Sequence, residues 1–222
     1  LPLLGQVILL AFIAWLLVRD LRNRPGVSSM TWVVVLWTII FASRSASQWL
    51  STQGSESVEA YMGGSPVDRA VFIALMLGGL TVLLYRRVGV GHLIRANRWL
   101  FALYAYFLLS TAWSDFPLVA LKRWFRESGN LIMILVLLSE KDPVEAIKAT
   151  FLRCAYVLVP LSVLFVRFKP DLGRIYTGFN GNDLMYVGVS THKNTLGALL
   201  VVSLLFITWE LLERRTLKSK VR

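Results

Sequence analysis

Three cations and a carboxylate crowd into the six residues Lys122–Glu127, with Leu118–Leu121 before them and the apolar run Gly129–Leu138 after. At helical spacing Lys122/Arg126 and Arg123/Glu127 are both i,i+4 pairs. The Arg123–Glu127 pair can close as a salt bridge, which leaves Lys122 and Arg126 as an uncompensated cationic ridge. Guanidinium groups bind phosphate oxygens through two parallel hydrogen bonds, a geometry Lys does not match. Arg44 is a fourth cation at the edge of an apolar stretch, followed by Gln48. His192, Lys193 and Asn194 open the last apolar segment, where the free N–H groups of a helix start favour an anion. An imidazole titrates near neutrality and can serve as a base or as a phosphate ligand. A histidine at a helix start is also an ordinary polar cap. The chemistry these residues offer is the binding of an anion, phosphate above all.

These residues need elements to hold them, and composition says of what kind. The 222 residues are 56% hydrophobic and 17% charged, with mean hydropathy +0.61. Soluble domains carry about 25% charged residues. So apolar a chain excludes disorder. The single cysteine, Cys154, excludes an internal disulfide and a thiolate metal cluster. What remains is an all-α, polytopic integral membrane protein, read as one membrane domain over 1–222. Its first residue is Leu1, with no basic flank before the apolar run and no small-residue cleavage site after it. The expectation is a fragment of a longer chain.

A crossing helix needs about 20 residues. Seven segments qualify approximately: 2–18, 30–49, 68–85, 99–114, 118–138, 151–168 and 194–212. Single spans in lipid satisfy their own backbone hydrogen bonds, so all seven are expected to be helices in a bundle. The run Gly129–Leu138 rises only about 15 Å at 1.5 Å per residue. To cross, it must recruit 118–130 and carry Lys122, Arg123, Arg126 and Glu127 into the membrane, with Ser114 as N-cap, Asp115 in the first turn and Pro117 near the start. Arg44 is placed below the outer interface in the same way. Alternatively these cations snorkel or pair, or 116–128 lies flat on the surface.

Summed over alternate loops, 15 of the 24 basic residues fall on one side with six acids, a net +9. The other side has nine basic and seven acidic residues, a net +2. The positive-inside rule makes the +9 side cytoplasmic. The overall net charge of +11 is then mostly a topology signal. No basic stripe or aromatic module for nucleic acid is visible. The outer loops are about 50–67, 115–117 and 169–193. Turn chemistry marks Lys169–Pro170 and Asn180–Gly181. Trp32, Trp49, Trp99, Trp113 and Trp209 sit at span ends as interfacial anchors. Asn180, Asn182 and Asp183 lack EF-hand spacing and read as a plain turn, so no metal site is expected. There is no P-loop, nucleophile elbow or glycosidase-like carboxylate pair, and no cofactor is expected.

Four segments together resemble the bacterial O-antigen ligase-like family, especially its exopolysaccharide-production branch. They are SerArgSerAlaSerGlnTrpLeu (43–50), GlySerProValAspArg (64–69), SerThrAlaTrpSerAspPheProLeuValAlaLeuLysArg (110–123) and ThrHisLysAsnThrLeuGly (191–197). The resemblance implies a periplasm-facing glycosyltransferase of the bacterial inner membrane. Such an enzyme polymerises or ligates glycans carried on undecaprenyl pyrophosphate, passing them to an acceptor glycan or lipid. It implies pyrophosphate contacts from Arg44, Lys122, Arg123, Arg126, Lys193 and Asn194, and a base at His192. The family has about twice as many spans and a large downstream periplasmic loop bearing catalytic residues, so this chain resembles its N-terminal half. Two other expectations stand beside it: a transporter or flippase of a lipid-linked saccharide, and a non-catalytic membrane subunit.

Overall fold

The computed structural model describes residues 2–50, 65–177 and 183–220. Helices dominate. α1 is Pro2–Asn23, α2 Trp32–Ala42, α3 Ala46–Leu50, α4 Pro66–Tyr85, α5 Val90–Ala96 and α6 Arg98–Ser110. α7 is Pro117–Leu138, α8 Pro143–Phe168, α9 Pro170–Gly173 and α10 Lys193–Lys220. Six of the seven expected apolar segments are helical over most of their length, and the second, 30–49, is helical in two pieces. Four helices are long and apolar enough to cross a bilayer: Leu3–Asn23, Pro66–Tyr85, Pro143–Phe168 and Lys193–Thr216. Their outward faces carry exposed Leu3, Ile8, Leu77, Leu84, Leu204 and Leu205. Water would not tolerate that surface, and lipid requires it. The chain is a membrane protein.

The contacts fix which helix ends share an end of the bundle. Arg86, after α4, donates to the Val136 carbonyl (2.9 Å) and Ser139 Oγ (2.6 Å) and pairs with Glu140, all at the end of α7. Arg24, after α1, pairs with Glu145 and Glu210 at 2.5 Å each. The segments expected to lie on the basic side do gather at one end.

Two apolar cores meet on opposite faces of α2. Val34 and Trp37 pack with Met76, Val82, Met133 and Val136 of α4 and α7. Val35 packs with Cys154, Leu158 and Phe165 of α8 and with Val189. The Trp37 ring stacks on Phe41 at 5.5 Å and meets Phe72 edge-on at 5.2 Å. Its Nε1 donates to Asn130 Oδ1 at 2.8 Å. α6 has no buried residue. It touches α7 through Tyr104, whose hydroxyl donates to the Glu127 carbonyl (3.3 Å) and whose carbonyl accepts from Trp124 Nε1 (3.0 Å).

The fold departs from the sequence expectations at several places. The span expected over 30–49 is broken at residues 43–45. Ser43 Oγ turns back to the Ile39 carbonyl at 2.6 Å. Ser45 and Gln48 then form a capping box, Gln48 N–H to Ser45 Oγ (3.4 Å) and Ser45 N–H to Gln48 Oε1 (3.2 Å), which starts α3. The Asp68 carboxylate accepts from Ser47 N–H and Oγ, both at 2.8 Å, and ties α3 to α4. Ser114 does not cap α7. That helix begins at Pro117 with Phe116 in the cap position, and Ser114 Oγ accepts instead from Phe116 N–H (3.3 Å). α8 starts at Pro143, eight residues before the expected 151, because Asp142 caps it by accepting from Glu145 N–H at 3.0 Å. α10 runs past 212 as well.

An all-helical chain was expected, and a small hairpin adds to it: β1 Arg174–Thr177 pairs antiparallel with β2 Asp183–Tyr186. The Gly- and Ser-rich segment 51–60 and the turn at Asn180–Gly181, with Asn182, fall outside the described residues. After β2 the chain returns to the bundle, where Val187, Val189 and Ser190 are buried. Gly173 makes that return possible. A Cβ there would lie 2.4 Å from the Phe165 backbone carbon.

Gly129 plays the corresponding role between α7 and α2. A Cβ there would lie 2.2 Å from the Trp37 ring, which is buried, stacked and hydrogen-bonded and has nowhere to move. Gly129→Ala should cost about 1–3 kcal/mol by overpacking, seen as a lower melting temperature in detergent. Gly197→Ala, with nothing within 4 Å of its Cβ, should be neutral or stabilising by up to about 1 kcal/mol. Equal effects of the two would contradict this packing.

Candidate functional site

α7 holds Lys122, Arg123 and Arg126 on one continuous helix, and all three are exposed. The expected Arg123–Glu127 bridge does not form. Glu127 Oε1 faces Arg126 at 3.4 Å instead, and its Oε2 accepts from Asn130 Nδ2 at 2.7 Å. Asn130 in turn accepts from Trp37, so Glu127 is held from behind by a polar chain that reaches α2. Lys122 and Arg123 have no carboxylate partner among the described residues. Arg126, expected to be uncompensated, is the cation that meets Glu127, and Lys122 and Arg123 are the two left without a carboxylate among the described residues.

Arg44 lies elsewhere. It lies in the break between α2 and α3, its Nη2 donates to the Leu172 carbonyl, and its guanidinium sits 5.8 Å from the Phe165 ring centroid. Arg174 does the same for α8: its Nε donates to the Val166 carbonyl at 3.0 Å. Both arginines serve carbonyls that a helix end leaves without an internal donor. Arg44 faces α8 and α9, and the α7 cations face outward. The structure does not bring them together around one hollow.

His192 is the cap of α10. Its Nδ1 accepts from Asn194 N–H at 3.2 Å, and the ring is exposed. A ring nitrogen that accepts a hydrogen bond carries no proton, so Nε2 bears the hydrogen in this tautomer. The exposed nitrogen is then a donor, and accepting a proton from a substrate requires the cap to open. Lys193 and Asn194 follow in the first turn, both exposed.

The densest group of charges sits at the other end, among residues counted above as loop charges. Lys148 and Arg153 lie within α8 and are buried, and Glu210 and Glu213 lie within α10. Arg153 Nε pairs with Asp20 Oδ2 at 2.7 Å, and its Nη1 donates to Thr31 Oγ1 at 3.1 Å. Asp20 also pairs with Arg24. Lys148 Nζ lies 2.6 Å from both Glu145 and Glu213 and 3.5 Å from Glu210. Arg214 pairs with Glu210 at 2.6 Å. The signals were present: Asp142–Pro143–Val144–Glu145 announces a helix start, and Glu145/Lys148 and Glu210/Arg214 have helical spacing. The end of an apolar run hid them. Trp32, expected at the lipid interface, lies beneath Arg153 at 5.3 Å.

No family model, no curated protein and no solved structure matches this chain.

The cap role of His192 is open to test. His192→Asn keeps a good N-cap, whereas His192→Ala removes it at a cost of about 1 kcal/mol. The melting temperature should be unchanged in the first and lower in the second. Equal melting temperatures would contradict the cap.

Proposed function

We propose that this chain belongs to a multi-pass, periplasm-facing glycosyltransferase of the bacterial inner membrane that polymerises or ligates undecaprenyl-pyrophosphate-linked glycans. On this reading the seven helical stretches make seven crossings, with the basic end in the cytoplasm by the positive-inside rule. The observation that carries it is the exposed ridge Lys122–Arg123–Arg126 in the first half of α7, away from the basic end, where among the described residues Glu127 is the acid it pairs with, through Arg126. The four-segment resemblance to O-antigen ligase-like proteins supplies the substrate class.

The reaction is displacement at the anomeric carbon. The acceptor hydroxyl oxygen forms a new bond to that carbon as the bond to the pyrophosphate oxygen breaks. The hydroxyl proton passes to a base, and negative charge grows on the leaving pyrophosphate. Fixed cations at that oxygen stabilise the charge where it develops. Arg123 and Arg126 suit it through bidentate geometry and Lys122 as a point charge. Arg44, already donating to Leu172, has further N–H groups for an anion. His192 enters as base only when its bond to Asn194 is released. Partners on this reading are the lipid-linked glycan, the acceptor glycan or lipid, and membrane lipids.

The exposure of the same ridge also favours a second reading, a non-catalytic subunit whose cations meet an acidic surface of a partner chain.

Lys122→Gln/Arg123→Gln/Arg126→Gln, produced in membranes lacking the native protein, should reduce glycan product by about 100-fold or more, the scale of removing a transition-state donor. The amount of folded protein should not change, because these side chains are exposed. Unchanged product length and yield would remove the catalytic reading. Loss of a co-purifying chain, with product unchanged, would favour the subunit reading.

A further inference from the structure

Two cavities open at the basic end, and they adjoin. One, about 210 Å³, lies between α1, α8 and α10, and the other, about 160 Å³, runs along α1. Arg19 and Asn23 line both. Arg22 joins them in the smaller cavity, and Tyr156 and Arg214 in the larger. Trp15, Arg19, Arg22 and Asn23 share one stripe of α1, because they recur at three- and four-residue intervals.

The carboxylates of this wall are already neutralised. Asp20 is held by Arg24 and Arg153, and Glu210 by Arg24 and Arg214. The outer donors are not engaged in the same way. Arg19 and Arg22 have no carboxylate partner among the described residues, and Arg19 rests 5.3 Å over the Trp15 ring. The Tyr156 hydroxyl and the Asn23 amide have no hydrogen-bond partner among the described residues. Leu16, Ile207 and Leu211 continue the groove toward the apolar body of the bundle. A cluster of donors at the end of a greasy groove, beside an exposed tryptophan, fits a headgroup above an acyl chain.

We propose that the groove between α1 and α10 is a binding site for an anionic phospholipid. Arg19, Arg22 and Tyr156 hold its phosphate, and Leu16 and Leu211 lie along the acyl chain. Basic pockets between membrane helices recognise such headgroups, and each cation near an anionic membrane surface contributes about fivefold to binding. The site lies at the opposite end from the α7 ridge and does not depend on any glycan chemistry.

The test uses the purified protein in neutral detergent with an equimolar mixture of phosphatidylglycerol and phosphatidylcholine, counting bound lipids by native mass spectrometry. Phosphatidylglycerol should be retained in clear excess. Arg19→Gln should lower its retention about fivefold, and Arg19→Gln/Arg22→Gln about fivefold further. Arg215→Gln, which removes an exposed charge outside the groove, should leave retention within about twofold. Equal retention of the two lipids by the unaltered protein overturns the proposal, and so does an equal loss in Arg215→Gln. Displacement of phosphatidylglycerol by millimolar inorganic phosphate assigns the site to free phosphate and overturns the lipid.

Discussion

Eight charged side chains meet where α1, α8 and α10 converge, and they balance: Arg24, Lys148, Arg153 and Arg214 against Asp20, Glu145, Glu210 and Glu213. A charge withdrawn from water is tolerated only when paired and hydrogen-bonded. Asp20 and Arg153, each 1% exposed in its side chain, are the extreme case. Arg153 has Asp20 as its carboxylate, and Asp20 is shared between Arg153 and Arg24. Arg153 also reaches Thr31 and lies over Trp32, which fixes the start of α2 against α8. From there the helix carries one apolar face to α4 and α7 and the other to α8. The placement of the whole bundle descends from this knot.

The two ends are built on different physics. At the basic end, carboxylates and cations neutralise one another, and the surplus cations Arg19 and Arg22 are left facing outward. At the other end, Arg44 and Arg174 serve the carbonyls of Leu172 and Val166, and Ser162 and Ser190 tie the returning 187–190 segment to α8 and α2. Those arginines are largely spoken for by the fold. On α7, Lys122 and Arg123 have no carboxylate partner among the described residues, and Arg126 faces Glu127 at 3.4 Å.

The sequence made the helical regions legible because a run of about 20 apolar residues has few other fates. It misplaced their ends wherever a helix continued past its apolar run. Lys148 and Arg153 read as loop charges for that reason, although both lie on a helix that Asp142 starts. Apolar length also concealed the break at residues 43–45, where the Ser45–Gln48 box is a local signal within an apolar neighbourhood. The hairpin escaped because its strands are four residues each. In the candidate site, α7 was legible, since a helix spanning Lys122–Glu127 was the only way to lengthen a ten-residue run. The direction in which Arg44 points was not, because it depends on a returning segment more than 120 residues away.

Asp20 and Arg153 hold α1 and α8 together by mutual neutralisation. A double-mutant cycle with Asp20→Asn and Arg153→Met, followed by unfolding in detergent, tests it most directly. Asp20→Asn should cost about 3–5 kcal/mol, because it leaves Arg153 buried without its carboxylate, and Arg153→Met should cost less, because Asp20 keeps its pair with Arg24. The double variant should lose less than the two single losses combined, by more than about 1 kcal/mol. Single losses below about 0.5 kcal/mol that simply add would show that these charges do not depend on one another.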